Sequence, residues 1–208
     1  MSARIENVPP MVHMVHAYRV SGGRELPLLS DGGDVVAGSS AIVEHLEARY
    51  PHAPLIPCDP EEAGLVRLWT QWADRLLAPD ARRLLAASWV RRPVTSERFF
   101  FTGAPHRERI VFRPLRRPFS LMAAAFRGAY PAAVQASRGR VDAAFEVLDS
   151  ALAGGQYLVG SSLTLADLSV ATAANMALVP VEERERHRAR PVVDWVQRTL
   201  PEPYQRWQ

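Results

Sequence analysis

Ser39 and Ser40 stand where a helix should begin, after Gly38 and before the apolar positions Ile42, Val43 and Leu46. A helix leaves its first-turn N–H groups without internal acceptors, and a serine hydroxyl can take one of them. The same hydroxyl, the free N–H groups and the positive end of the helix dipole also suit a carboxylate. Ordinary capping explains the pair equally well. Trp69 and Trp72 lie on one helical stretch. They read as core, or as the border of an apolar substrate pocket. Cys58 is the sole cysteine, so no intramolecular disulfide or zinc cage is expected, and a reducing cytoplasm fits. His13 and His16 are neighbours without a second pair at ligand spacing, so structural or surface roles are expected and no metal. Ser2 and Tyr18 supply hydroxyls outside any motif. There is no phosphate loop, no Ser-His-Asp order in motif context and no nucleic-acid module.

The elements that would position these residues fall into two textures, 1–57 and 58–208. The first is short apolar runs broken by Gly and Pro. Arg4 to Val8 alternates weakly, as a short strand would. The stretch 11–20 is open between irregular helix and loop. Leu26 to Ser30 reads as a strand, Asp31-Gly32-Gly33 as a hairpin turn and Val35 to Ala37 as the return strand. A helix over 41–50 follows, ended by Pro51 and Pro54.

Beyond Cys58 the pattern is helical. Asp59-Pro60-Glu61-Glu62 has a cap, a proline and an acidic first turn in their favoured places. Residues 91–118 look irregular, with Phe99, Phe100 and Phe101 as core or interface. The run 115–130 carries Arg116, Arg117 and Arg127 and reads as an amphipathic helix. A helix over 132–153 comes next. Tyr157 to Gly160 is an extended link, and Thr164 with Asp167 opens a nearly all-apolar helix to Val179. The charge run 182–188 reads as a solvated connection, and a last helix covers 191–200.

The 208 residues suffice for one large domain or two small ones, and 48% hydrophobic with 23% charged content is that of a folded protein. Lysine is absent and the net charge is +3. The arginines are scattered among carboxylates, so a nucleic-acid surface is not expected. No segment is apolar enough to span a bilayer.

Two segments together resemble the cytosolic glutathione transferase family. One is Leu26-Pro27-Leu28-Leu29, then Asp31-Gly32, then Ser39-Ser40-Ala41-Ile42. The other is Tyr157-Leu158-Val159-Gly160 followed by Thr164-Leu165-Ala166-Asp167. The resemblance implies an α+β, mostly helical fold: a thioredoxin-like N-terminal domain over 1–57 and an all-helical C-terminal domain over 58–208. It implies that Pro27 is cis, freeing the Leu26 N–H and C=O to pair with the cysteinyl part of glutathione as an added strand would. It implies that Ser39 and Ser40 receive the γ-glutamyl carboxylate. Glutathione would be co-substrate, a small hydrophobic electrophile its partner, and a homodimer the assembly.

This sequence departs from that pattern. Only 26 residues precede Pro27, so the first strand and first helix of the thioredoxin-like domain are expected to be missing. The family's catalytic Ser, Tyr or Cys opens that helix, where it stabilises the glutathione thiolate. No residue here matches it, so the catalytic residue is unknown and weak or absent activity is expected. Gly38 stands where the family often has Glu or Asp. The alternative function is a non-catalytic assembly protein on the same scaffold.

Overall fold

A computed structural model of the chain describes residues 13–23, 26–51, 54–101, 110 and 112–200, with the side chains at 13–16, 40, 98, 100 and 101 outside that description. The expected strand from Arg4 to Val8 therefore lies outside the described residues. The stretch left open between helix and loop is helical: α1 covers His13–Ser21. It ends at Gly22, whose φ of 71° suits a residue without Cβ.

Strands β1 (Leu28–Asp31) and β2 (Asp34–Ala37) pair antiparallel, Leu28 opposite Ala37 and Asp31 opposite Asp34. Gly32 and Gly33 form the two-residue connection with φ of 62° and 102°. Positive φ at both positions is what a turn matching the strands' twist demands. Helix α2 (Ser39–Arg49) follows at once.

The second part starts as the sequence implies. Asp59 caps α3 (Pro60–Trp72) by accepting from the Glu61 and Glu62 N–H groups at 3.0 and 2.9 Å. The helix then runs through a π-helical turn, Ala73–Leu77, into α4 (Ala78–Arg91). Pro79 gives the reason. It has no N–H to offer and its ring crowds the carbonyl four residues back, so the Ala78 N–H reaches Ala73 O instead.

The described residues between 91 and 118 are more regular than their composition suggests. They hold α5 (Pro93–Phe101), a 3₁₀ turn Arg113–Leu115 and the start of α6 (Arg116–Phe126). Aromatic packing organises this stretch: Phe99 lies 5.3 Å from Trp89, ring centre to ring centre, and Phe119 lies 6.3 Å from it. Helix α7 (Pro131–Leu152) and α8 (Leu165–Leu178) come next, joined by bends and a turn rather than an extended link. The reciprocal cap at Thr164 and Asp167 forms. Buried Asp167 also accepts from the Leu158 N–H at 2.8 Å, which fastens the link to the helix.

The run 182–188 is corrected by the structure. It is helix α9 (Val181–His187), and Glu183 and His187 are each only 2% exposed. Composition suggests solvent, but one face of the short helix meets α7, where Arg138 pairs with Glu183 at 2.6 Å. The last helix, α10, spans Pro191–Thr199.

Helix α8 sits in the middle, against α3, α4, α9 and α10. Its buried Ala166, Ala171, Ala173, Ala174 and Ala177 let those neighbours approach closely. Leu77, Leu84, Phe145, Leu148, Val170 and Trp195 fill the core around it. The architecture is the expected α+β, mostly helical one, with a two-stranded sheet among the described residues. Leu55 connects the two parts: its N–H donates to Glu47 Oε1 at 2.8 Å and its carbonyl accepts from the Leu165 N–H at 2.9 Å.

Candidate functional site

The Leu26–Pro27 peptide bond is cis. Pro27 O accepts a hydrogen bond from the Gly38 N–H at 2.9 Å. One bond therefore fastens the proline bend to the residue that opens α2. Gly38 has φ 87° and ψ 142°, a region closed to residues with a side chain. That conformation explains glycine where an acidic residue might have stood. Leu26 is exposed, and among the described residues no backbone group pairs with its N–H or C=O.

The structure corrects the capping expectation at Ser39. Gly38 occupies the cap position, Ser39 is the first helical residue, and no side chain caps the helix. The Ile42 N–H already bonds to Gly38 O at 3.0 Å. The N–H groups of Ser39, Ser40 and Ala41 have no acceptor among the described residues. An uncapped first turn with an exposed serine hydroxyl beside it can receive an anion. The Ser40 side chain lies outside the described residues.

The far end of α2 is held by a cluster that the sequence reading missed. Asp31, at the hairpin tip, accepts from Tyr50 Oη at 3.0 Å and pairs with His45 Nε2 at 3.0 Å and Arg49 Nε at 3.1 Å. Hydrogen bonds from His45 and Tyr50, helped by the Arg49 charge, hold the Asp31 carboxyl below its ordinary range. The signal was available: His45 and Arg49 are one helical turn apart, Tyr50 follows directly, and an aspartate opens the turn. The lock sets the angle of α2 over the hairpin, and hence where its N-terminus points.

Trp69 and Trp72 meet edge to face, with ring centres 5.4 Å apart. They line an apolar groove of about 560 Å³ with Leu65, Leu68, Leu76 and Val147, and Gln71 and Arg75 at its polar edge. All of these residues belong to α3, the π-helical turn and α7, so the groove is built from the second part alone. Cys58 is exposed and free, and Tyr18 is exposed on α1. Ser2 and the side chains of His13 and His16 lie outside the described residues. Among the described residues no cluster of His, Cys, Asp or Glu could hold a metal.

Comparison with known proteins bears on the whole chain. The glutathione S-transferase N-terminal domain family matches residues 2–54, and the glutathione S-transferase C-terminal domain family matches residues 104–203. Among solved structures, a glutathione S-transferase from Sinorhizobium meliloti superposes with a TM-score of 0.60 at 18% identity, covering 99% of this chain and 80% of that one. A glutathione S-transferase from Methylobacterium radiotolerans, solved with glutathione sulfonate, gives 0.54 at 18% identity, covering 88% of this chain and 70% of that one. The glutathione S-transferase 1-6 of Anopheles dirus gives 0.54 at 18% identity, over 98% and 79%. No curated protein matches the chain.

Proposed function

Since this chain belongs to the glutathione S-transferase family, we propose that it binds glutathione between the Leu26–Pro27 bend and the Ser39–Ser40 end of α2. The observation that carries this reading is the Gly38 N–H to Pro27 O bond of 2.9 Å, which holds the two half-sites side by side. The cysteinyl backbone of glutathione pairs with the Leu26 N–H and C=O as a short added strand. The γ-glutamyl carboxylate takes the first-turn N–H groups and the Ser39 hydroxyl. The glutathione sulfonate held by the Methylobacterium protein supports the ligand class.

The reaction is conjugation of glutathione to a small hydrophobic electrophile. The thiol releases its proton to solvent, and the thiolate sulfur forms the new carbon–sulfur bond as the electrophile's carbon releases its leaving group with the bonding pair, chloride in the case of chlorodinitrobenzene. Among the described residues no Ser, Tyr or Cys stands at the family's thiolate-stabilising position. We take conjugation by this chain to be slow or absent and glutathione binding to be its stronger property. The apolar groove at Trp69 and Trp72 is the candidate seat for the electrophile. We take 1–57 and 58–208 as the two domains, and a cytoplasmic setting as the one that suits a lone exposed thiol.

Calorimetry with glutathione tests the binding step. Heat that saturates at millimolar ligand or below is expected, and no detectable heat there refutes the reading. A chlorodinitrobenzene assay tests the chemistry: a slow rate is expected, weakened further by Trp72→Ala through KM.

The exposed apolar residues of the same groove favour a second reading. Leu65, Leu68, Leu76 and Val147 are each at least 44% exposed along one face. A patch of this kind suits assembly, including a homodimer. Sedimentation velocity on Leu68→Glu separates the two readings, because only an interface role makes that variant change mass.

A further inference from the structure

Helix α6 turns the wrong side to solvent. Its buried face is Ser120 and Ala124. The exposed residues of the helix are Arg117, Pro118, Leu121, Met122, Ala125 and Phe126. Phe126 is 82% exposed, Met122 59% and Leu121 52%; Leu115 and Tyr130 extend the exposed apolar surface at either end. A solvent-facing helix side is ordinarily charged, so a continuous apolar one calls for a cover.

The rim of this face is positive. Among the described residues no carboxylate pairs with Arg113, Arg117 or Arg127. The Arg127 guanidinium sits 5.5 Å above the Phe126 ring centre, and Arg82 is close enough for its charge to act on Arg127. The sequence reinforces this: between Glu108 and Asp142 there are seven arginines and no acidic residue. Arg116, Arg138 and Arg140 are occupied by Glu97, Glu183 and Asp80. Arg113, Arg117 and Arg127 are exposed and have no carboxylate partner among the described residues.

Charge and apolarity together select the occupant. A second copy docking through the same face would set arginine rim against arginine rim. A nucleic-acid backbone would satisfy the arginines but leave Leu121, Met122 and Phe126 wet. An anionic bilayer answers both, with acyl boundary for the apolar face and headgroup phosphates for the arginines. We propose that α6 and its flanking turns are a peripheral docking surface for an anionic lipid bilayer. This does not rest on the glutathione reading.

The test is co-sedimentation of the full chain with vesicles of phosphatidylglycerol and phosphatidylcholine, against phosphatidylcholine alone. Pelleting with the anionic vesicles is expected, falling as salt rises, with little on the neutral ones. Arg113→Gln with Arg117→Gln lowers the anionic partition about twenty-five-fold, at about five-fold per arginine. Leu121→Ser with Phe126→Ser abolishes pelleting at unchanged helix content. If that variant loses helix content, the arginine pair and the salt dependence decide. Equal pelleting on both vesicle types, or none on either, overturns the proposal. So does tighter binding to duplex RNA, or self-association without vesicles that the Leu121→Ser, Phe126→Ser variant removes.

Discussion

Gly38 and Ser39 are adjacent and do different work. Gly38 holds φ 87° and ψ 142° while its N–H fastens the proline bend. A Cβ there is strained by about 1–3 kcal/mol. Gly38→Ala should lower the urea midpoint accordingly and weaken glutathione binding, because the two half-sites then lose their spacing. Ser39 is exposed and caps nothing. Ser39→Ala should leave stability within about 0.5 kcal/mol, as exposed substitutions do. Glutathione affinity measured by calorimetry should nevertheless fall. A loss of about 1 kcal/mol in stability with unchanged affinity would return Ser39 to an ordinary capping role.

Elements are tied to one another through two aspartates. Asp31 ties α2 to the hairpin through His45, Tyr50 and Arg49. Its folded pKa is lowered from 3.8, so its contribution is complete above that value and is lost as pH falls through the lower folded one. Asp31→Asn should therefore lower the Tm at pH 7, and by progressively less as pH falls below 3.8. Asp80 ties α4 to α7. Its carboxylate accepts from Arg140 Nε and Nη2 and from Ser137 Oγ, each at 2.7 Å, and from Arg83 at 2.8 Å. Burial pushes the Asp80 carboxyl up, and the bonds from Arg140 and Ser137 bring it down further, to below 3.8. Asp80→Ala should cost about 2 kcal/mol, since it strands charge-assisted donors at a helix–helix contact. Arg140→Ala should cost less, about 1 kcal/mol, because Arg140 is half exposed and water replaces its partner. Chemical denaturation of both variants checks the order.

The molecule as a whole carries an acid-sensitive group at the α7–α9 contact. His187 is 2% exposed, its ring meets Phe145 with centres 4.8 Å apart, and its Nε2 lies 3.3 Å from Asp142 Oδ1 outside hydrogen-bond geometry. Burial lowers its pKa from 6.5, and Arg190 and Arg186 push the same way against Asp142 and Glu183. The folded state therefore holds fewer protons than the unfolded one below 6.5. Its stability contribution is full above that pH and declines as pH falls toward the lower folded pKa. Thermal melts should show Tm falling from about pH 6.5 downward. His187→Gln should flatten that slope, at some cost in stability at pH 8 from the lost ring packing.

Local chemistry was legible in the sequence because it acts between near neighbours. Asp59 capping α3, Gly32-Gly33 turning the hairpin and Thr164 closing on Asp167 each need only a few consecutive residues. The resemblance added the cis bond at Pro27, which no local pattern demands. What the sequence could not decide was which polar residues meet across elements. Asp80 finds Arg140 and Ser137 sixty and fifty-seven positions away, and Glu183 with His187 leaves solvent only because α7 lies against α9. The apolar outer face of α6 has the same origin. Periodicity shows that a helix has two sides, but only packing decides which side the rest of the protein covers.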